Sequence, residues 1–155
     1  MRKGESGTIV FHPDAQWLKD HLLPQEFVAS IHIINPKNLL DDHKILDYQK
    51  SYLLHELTHS FYYNCLENKK EDIRKAFQKA LKSKKYEKVA TSFSKKKVRS
   101  YAIQNEREYF SELSESYLYK NDYFPFTKDD LRAFDKIGFE VIDNSWKANC
   151  SPGIF

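Results

Sequence analysis

Apolar and polar positions alternate along this chain in two rhythms, one strand-like near the start and one helical over most of the rest. Gly7 to His12 reads as a short strand, and Pro13 fits the first turn of a helix running through Leu22. Phe27 to Ile34 (FVASIHII) carries the strongest strand pattern, β-branched and apolar, and Asn35-Pro36 ends it. A long helix is predicted from Lys44 to Leu66, and a second amphipathic one from Glu71 to Lys82. Tyr86 to Ala102 reads as a hairpin with Ser94 to Lys97 near its turn. Asn105 can cap a helix reaching Tyr119, Asn121 to Phe126 is a loop, Thr127 caps a short helix, and a last helix spans Ile137 to Trp146.

The 155 residues suit a single domain, 1–155, with no internal repeat or linker to divide it. Ten Tyr and eleven Phe are many for this length, enough to fill a core and line a cleft. No apolar run is long enough for a membrane span. The first residues, Met1 to Gly7, have no apolar signal core behind their charges, so the chain is either cytoplasmic or a secreted region without its leader. Cys65 and Cys150 have no metal-site spacing and are expected as two thiols, one packed on a helix and one in a loose tail.

The net charge of +3 hides an asymmetry: Lys69 to Arg99 holds 13 basic and three acidic residues. The plain reading of this segment is a solvated helix and hairpin. A basic domain for nucleic acid or lipid is the alternative, although the segment has neither a Gly-rich RNA motif nor zinc-finger spacing.

The densest chemistry lies at His55-Glu56-Leu57-Thr58-His59. On a helix, positions i and i+4 stand one above the other, so both imidazoles can turn to one ion. Glu56, about 100° round, falls beside that ion. Leu53, Leu54, Leu57 and Phe61 would form an apolar back for the core. His12, His21, His32 and His43 lack such spacing and read as surface or packing residues. A catalytic zinc takes three protein ligands and one open position. The third must come from elsewhere, and Glu106, Glu108, Glu112 and Glu115 are available. Periodicity puts Glu108, Glu112 and Glu115 on one face and Tyr109, Phe110, Leu113 and Tyr117 on the other, without deciding whether the acidic face meets a metal or water.

The segment HELTH, followed by YAIQNEREYFSE at Tyr101 to Glu112, resembles the catalytic domain of the lethal factor-like gluzincins, zinc peptidases with H-E-x-x-H and a later glutamate ligand. The chain is also similar to a set of metallopeptidase-like domains sharing FHPxAxWLK, here Phe11 to Lys19, and NDYFPF, here Asn121 to Phe126. It departs from lethal factor at Thr58, where that protein has Gly.

The resemblance implies a mostly helical α+β fold of the zincin-like kind, a small sheet on the active-site helix followed by a helical half. It implies one Zn²⁺ per chain on His55, His59 and Glu108, with Glu56 as general base, Tyr101 as oxyanion donor and Glu112 accepting from the far nitrogen of a ligand histidine. The function implied is a monomeric zinc-dependent endopeptidase acting on peptides or proteins, with no nucleic-acid partner. A catalytically silent zinc-binding interaction module of the same fold is a further alternative. The strand at Phe27 to Ile34 is expected beside the active-site helix, with substrate pairing near Ser30 to Ile33.

Overall fold

The computed structural model describes residues 9–34, 36, 46–148 and 150, with side chains in the long helix described from Ser51 onward. It is mostly helical, with one small antiparallel sheet, an α+β arrangement. β1 (Ile9–Phe11) pairs with β2 (Ile31–Ile33), Phe11 opposite Ile31 and Ile9 opposite Ile33. The short helix α1 (Ala15–Asp20) lies between them in sequence, capped by the Asp14 side chain on the Trp17 N–H. The helical half comprises α2 (Leu46–Cys65), α3 (Lys70–Ser83), α4 (Glu106–Leu118), α5 (Lys128–Phe134) and α6 (Lys136–Trp146). No described helix is long and apolar enough to cross a membrane.

Caps fall where the sequence places them. Asn105 accepts from the N–H groups of Arg107 and Glu108, and Thr127 forms a reciprocal capping box with Asp130. The core gathers where α4 is surrounded by α2, α3, α5 and α6, with Tyr109, Phe110 and Leu113 fully enclosed. At its base, Asp135 accepts from the phenols of Tyr86 (2.9 Å) and Tyr109 (2.7 Å) and from the Gly138 N–H (3.0 Å). Burial, then the neighbouring Tyr109 and Asp135, raises the Tyr86 phenol well above its ordinary pKa, and burial with Asp135 does the same to Tyr109.

Four expectations change. The strand Phe27 to Ile34 contracts to Ile31–Ile33: Gln25–Phe27 is a 3-10 turn, and Ala29 takes a left-handed φ of 55° that breaks extension. β1 makes the closer contact with the Leu46–Cys65 helix, through the Phe11 N–H on Glu56, and β2, paired with β1 along one edge, touches the same helix less extensively. The hairpin Tyr86 to Ala102 is a loop pinched by one bridge, Val89 to Val98, while Thr91 bridges to Tyr123. Its lysine-rich tip offers no apolar face to hold two strands together.

The fourth change is the cysteine pair. Cys65, the last residue of α2, is disulfide-bonded to Cys150, with Cα atoms 4.8 Å apart across 85 positions. The Trp146 ring stacks on Phe61 (centroids 4.2 Å, planes 9° apart) and brings the tail back to the end of α2. A ring of this size corresponds to a stabilisation of about 4–5 kcal/mol in the chain-entropy picture.

His12 is a packing residue, as expected, but a fully buried one; His21 is exposed, His32 half-buried, and His43 lies outside the described residues. The His12 ring sits among Trp17, Phe27 and His32, and neither ring nitrogen has a hydrogen-bond partner among the described residues.

Two outcomes follow from these contacts. Burial first, and the charges of His32 and His21 after it, lower the His12 pKa below 6.5. The unfolded chain therefore binds this proton more readily, so the His12 contribution is full above pH 6.5 and is lost as the pH falls toward the folded-state value. His12→Phe should flatten the loss of urea-unfolding stability between pH 7.5 and 5; an unchanged pH slope would contradict the assignment. A Cβ on Gly138 would meet Tyr109 Oη at 2.5 Å, Leu113 Cδ2 at 2.6 Å and Asp135 Oδ2 at 2.8 Å. Gly138→Ala should therefore cost about 1–3 kcal/mol in the same assay.

Candidate metal centre

The buried face of α2 is not its leucine face. Ser51, His55, Thr58 and Tyr62 are enclosed, whereas Leu57 is 47% exposed and Leu53, Leu54 and Phe61 are only partly covered. Their three- and four-residue spacing makes one stripe, which packs along α4. The acidic face of α4 is correspondingly not solvated: Glu112 and Glu115 are fully buried and Glu108 is nearly so. The serines of α4 meet their neighbours on different sides, and Ser111 is the one that reaches α2. Ser111 Oγ lies 3.0 Å from His59 Nδ1, Ser114 accepts from Trp146 Nε1 at 3.0 Å, and Ser116 donates to the Pro125 carbonyl at 2.7 Å.

Three donor atoms converge where the two helices meet. His55 Nε2 is 2.9 Å from Glu108 Oε2 and 3.1 Å from His59 Nε2, and His59 Nε2 is 3.4 Å from Glu108 Oε2. On its other side, His55 Nδ1 is 2.7 Å from Glu115 Oε1. A carboxylate only accepts, so Nδ1 carries a hydrogen toward Glu115. On the other side, two nitrogens and a carboxylate oxygen this close can be bridged by a shared proton or by a cation. A tetrahedral ligand set with bonds of about 2.0–2.1 Å has edges of about 3.3 Å, close to the three distances here. The residues present therefore fit a metal ion on His55, His59 and Glu108.

Burial alone would push the Glu108 carboxyl up, but the hydrogen bonds and charges of His55 and His59 outweigh it and hold the group well below the ordinary range. Glu108 is thus held in its ionised form beside the two imidazoles.

The contact expected of Glu112 belongs to Glu115. Glu112 Oε1 stands 3.7 Å from His55 Nδ1, outside hydrogen-bond range, against 2.7 Å for Glu115. Seven residues along a helix return to within about 20° of the starting direction, whereas four overshoot by about 40°. Glu115 therefore lies beneath Glu108 on the line that the His55 ring spans. Ser51 in turn donates to the other oxygen of Glu115. The heptad from Glu108 to Glu115 was the available signal, and so was Ser51, one turn before His55.

A cleft of about 290 Å³ opens above the cluster, bordered by Val10, Phe11 and Trp17 on one side and by Tyr63, Tyr101 and Arg107 on the other. Glu56 reaches into it, held by the Phe11 N–H on Oε2 at 2.8 Å. Tyr101 opens a 3-10 turn, Tyr101–Ile103, that Ser100 caps, and its half-buried ring lies 6.2 Å from that of His55. The sequence-named residues His55, Glu56, His59, Tyr101 and Glu108 thus share one cleft, and Glu112 is buried behind it. The Phe11 backbone, Glu115, Ser51 and Ser111 complete the arrangement.

Comparison with protein-family models, with curated proteins and with solved structures returns no match.

An orienting carboxylate on a ligand histidine is worth about 10–100-fold in metal affinity. Glu115→Gln should weaken metal binding by that factor in a chelator-competition titration, and Glu112→Gln by clearly less. The reverse order would return the orienting role to Glu112.

Proposed function

We propose that this chain is a zinc-dependent endopeptidase of the lethal factor-like gluzincin type, with a zincin-like arrangement of sheet, active-site helix and ligand-bearing helix. The observation that carries the reading is the convergence of two imidazoles and a buried carboxylate at the floor of a cleft that also holds a glutamate and a tyrosine. Two nitrogens and one carboxylate are a donor set that zinc takes in hydrolytic sites.

Bound there, Zn²⁺ would supply Lewis acidity toward water and toward the scissile carbonyl. Glu56 takes a proton from the attacking water and returns it to the leaving amine. The Phe11 N–H fixes one oxygen of that carboxylate, so β1 positions the base. Tyr101 donates its phenol hydrogen to the oxyanion of the tetrahedral intermediate. Glu115 holds the hydrogen on His55 Nδ1 and so keeps Nε2 turned to the metal position.

The purified protein should carry about one zinc per chain, and His55→Ala or His59→Ala should lose it. Glu56→Gln and Tyr101→Phe should keep zinc and fold. Tyr101→Phe should lose about 10²–10³ in kcat with KM little changed. A folded protein without zinc after growth in zinc-replete medium would overturn the metal assignment. Zinc-loaded protein that leaves a peptide library uncut, with or without chelator, would overturn the peptidase and leave a silent binding module.

A further inference from the structure

Beside the metal cleft lies a second cavity of about 480 Å³, floored by Tyr62 and Phe77 and rimmed by Lys70 and Glu106. Tyr63 and Arg107 line both cavities and form the wall between them. Arg107 Nη1 donates to Tyr63 Oη at 2.5 Å, which fixes the guanidinium in that wall.

It feels the charge of Glu108 without forming an ion pair with it. Lys70 pairs with Glu67, Arg74 with Glu71 and Glu106, Arg99 with Glu87 and Arg132 with Asp129. Arg107 makes no ion pair within 4.0 Å among the described residues, and its guanidinium donates to a neutral phenol. A guanidinium has five N–H donors in a planar fork that matches a carboxylate through two parallel bonds. With one donor on Tyr63, a two-donor edge remains for a ligand. Arg107 also borders the same cleft of about 290 Å³ as His55, His59 and Glu108, while an extended peptide advances about 3.3–3.6 Å per residue. A substrate lying in the metal cleft therefore brings a group one or two residues from the scissile bond to this wall.

We propose that Arg107, fixed by Tyr63, is a specificity-determining residue that receives a substrate carboxylate one or two residues from the bond cut. The proposal rests on the peptidase reading above. Two sources offer that carboxylate, an Asp or Glu side chain and a free C-terminus.

The test uses two matched peptide sets on zinc-loaded protein. One is C-terminally amidated with Glu or Gln placed one or two residues either side of the cut. The other has no acidic side chain and ends in a free carboxylate or an amide. The wild type should prefer the carboxylate member of one set by about 10- to 100-fold in kcat/KM, the worth of a charge-assisted pair. Most of the effect should fall in KM. The set that shows the preference identifies the source. In Arg107→Gln the ratio should fall toward one, Arg107→Glu should reverse it toward Lys-bearing peptides, and Tyr63→Phe should reduce it.

Equal cleavage of both members of both sets, or a preference that survives Arg107→Gln, overturns the proposal. If no peptide is cut at all, the peptidase reading fails separately, and fluorescence-anisotropy binding of the same labelled peptides decides Arg107. A carboxylate preference in binding that Arg107→Gln abolishes supports the subsite; equal binding of acid and amide members overturns it.

Discussion

Everything in this molecule is arranged around carboxylates that have been taken out of water. Glu108, Glu112 and Glu115 sit on the side of α4 that faces α2, and the last two are fully enclosed. A buried carboxylate without compensating charge costs several kcal/mol. The imidazoles of His55 and His59 lie against Glu108, and His55 also reaches Glu115. The α2–α4 interface is therefore both a packing surface and a candidate ion site. Ser111 bonds to His59 across this interface, while Ser114 and Ser116 tie α4 to Trp146 and to the Pro125 carbonyl. A helix that would ordinarily be enclosed by leucines is here enclosed by acids and serines, and its stability is tied to what fills the site.

The sheet is a positioning device more than a structural layer. β1 is three residues long, yet its Phe11 N–H reaches the glutamate beside the two histidines, and Val10 and Phe11 border the same cleft. Three stretches far apart in sequence meet there: the strand and short helix near the start, the middle of α2, and the turn that leads into α4. Each brings a different group: a backbone donor, two imidazoles, and a phenol with a carboxylate. The cleft is assembled late in the chain's logic, because none of these groups has a local reason to be where it is.

Much of the frame was legible because it depends on short-range chemistry. His55 and His59 stand on one face by helical geometry alone, and Asn105 and Thr127 cap because their side chains reach N–H groups two or three residues on. What escaped depends on which face meets which neighbour. Amphipathic reasoning put the leucines of α2 inward, but the ion site claims the inward face, and Leu57 is left partly in water. The resemblance points to Glu112 as the orienting carboxylate, whereas a ring held from both sides takes its two carboxylates two turns apart, at Glu108 and Glu115. The disulfide was invisible because Cys65 and Cys150 become neighbours only after α6 has folded back and Trp146 has stacked on Phe61. The resemblance supplied Glu108 and Tyr101; no periodicity in the chain singles them out.

The disulfide also bears on how the third donor would be recovered by an unfolded chain. Glu108 lies 43 positions after Cys65 and 42 before Cys150, almost at the far point of the covalent ring. With the ring closed, Glu108 is tethered to the end of α2 by two arms of nearly equal length, which acts like one arm of half the length. Halving a flexible tether changes the closure free energy by only about 0.6 kcal/mol, roughly a threefold rise in local concentration. The covalent link therefore does little to gather the ion's ligands. For a metal bound as proposed, recapture after unfolding would wait for α4 to dock against α2, with a rate set by helix assembly and not by tether length.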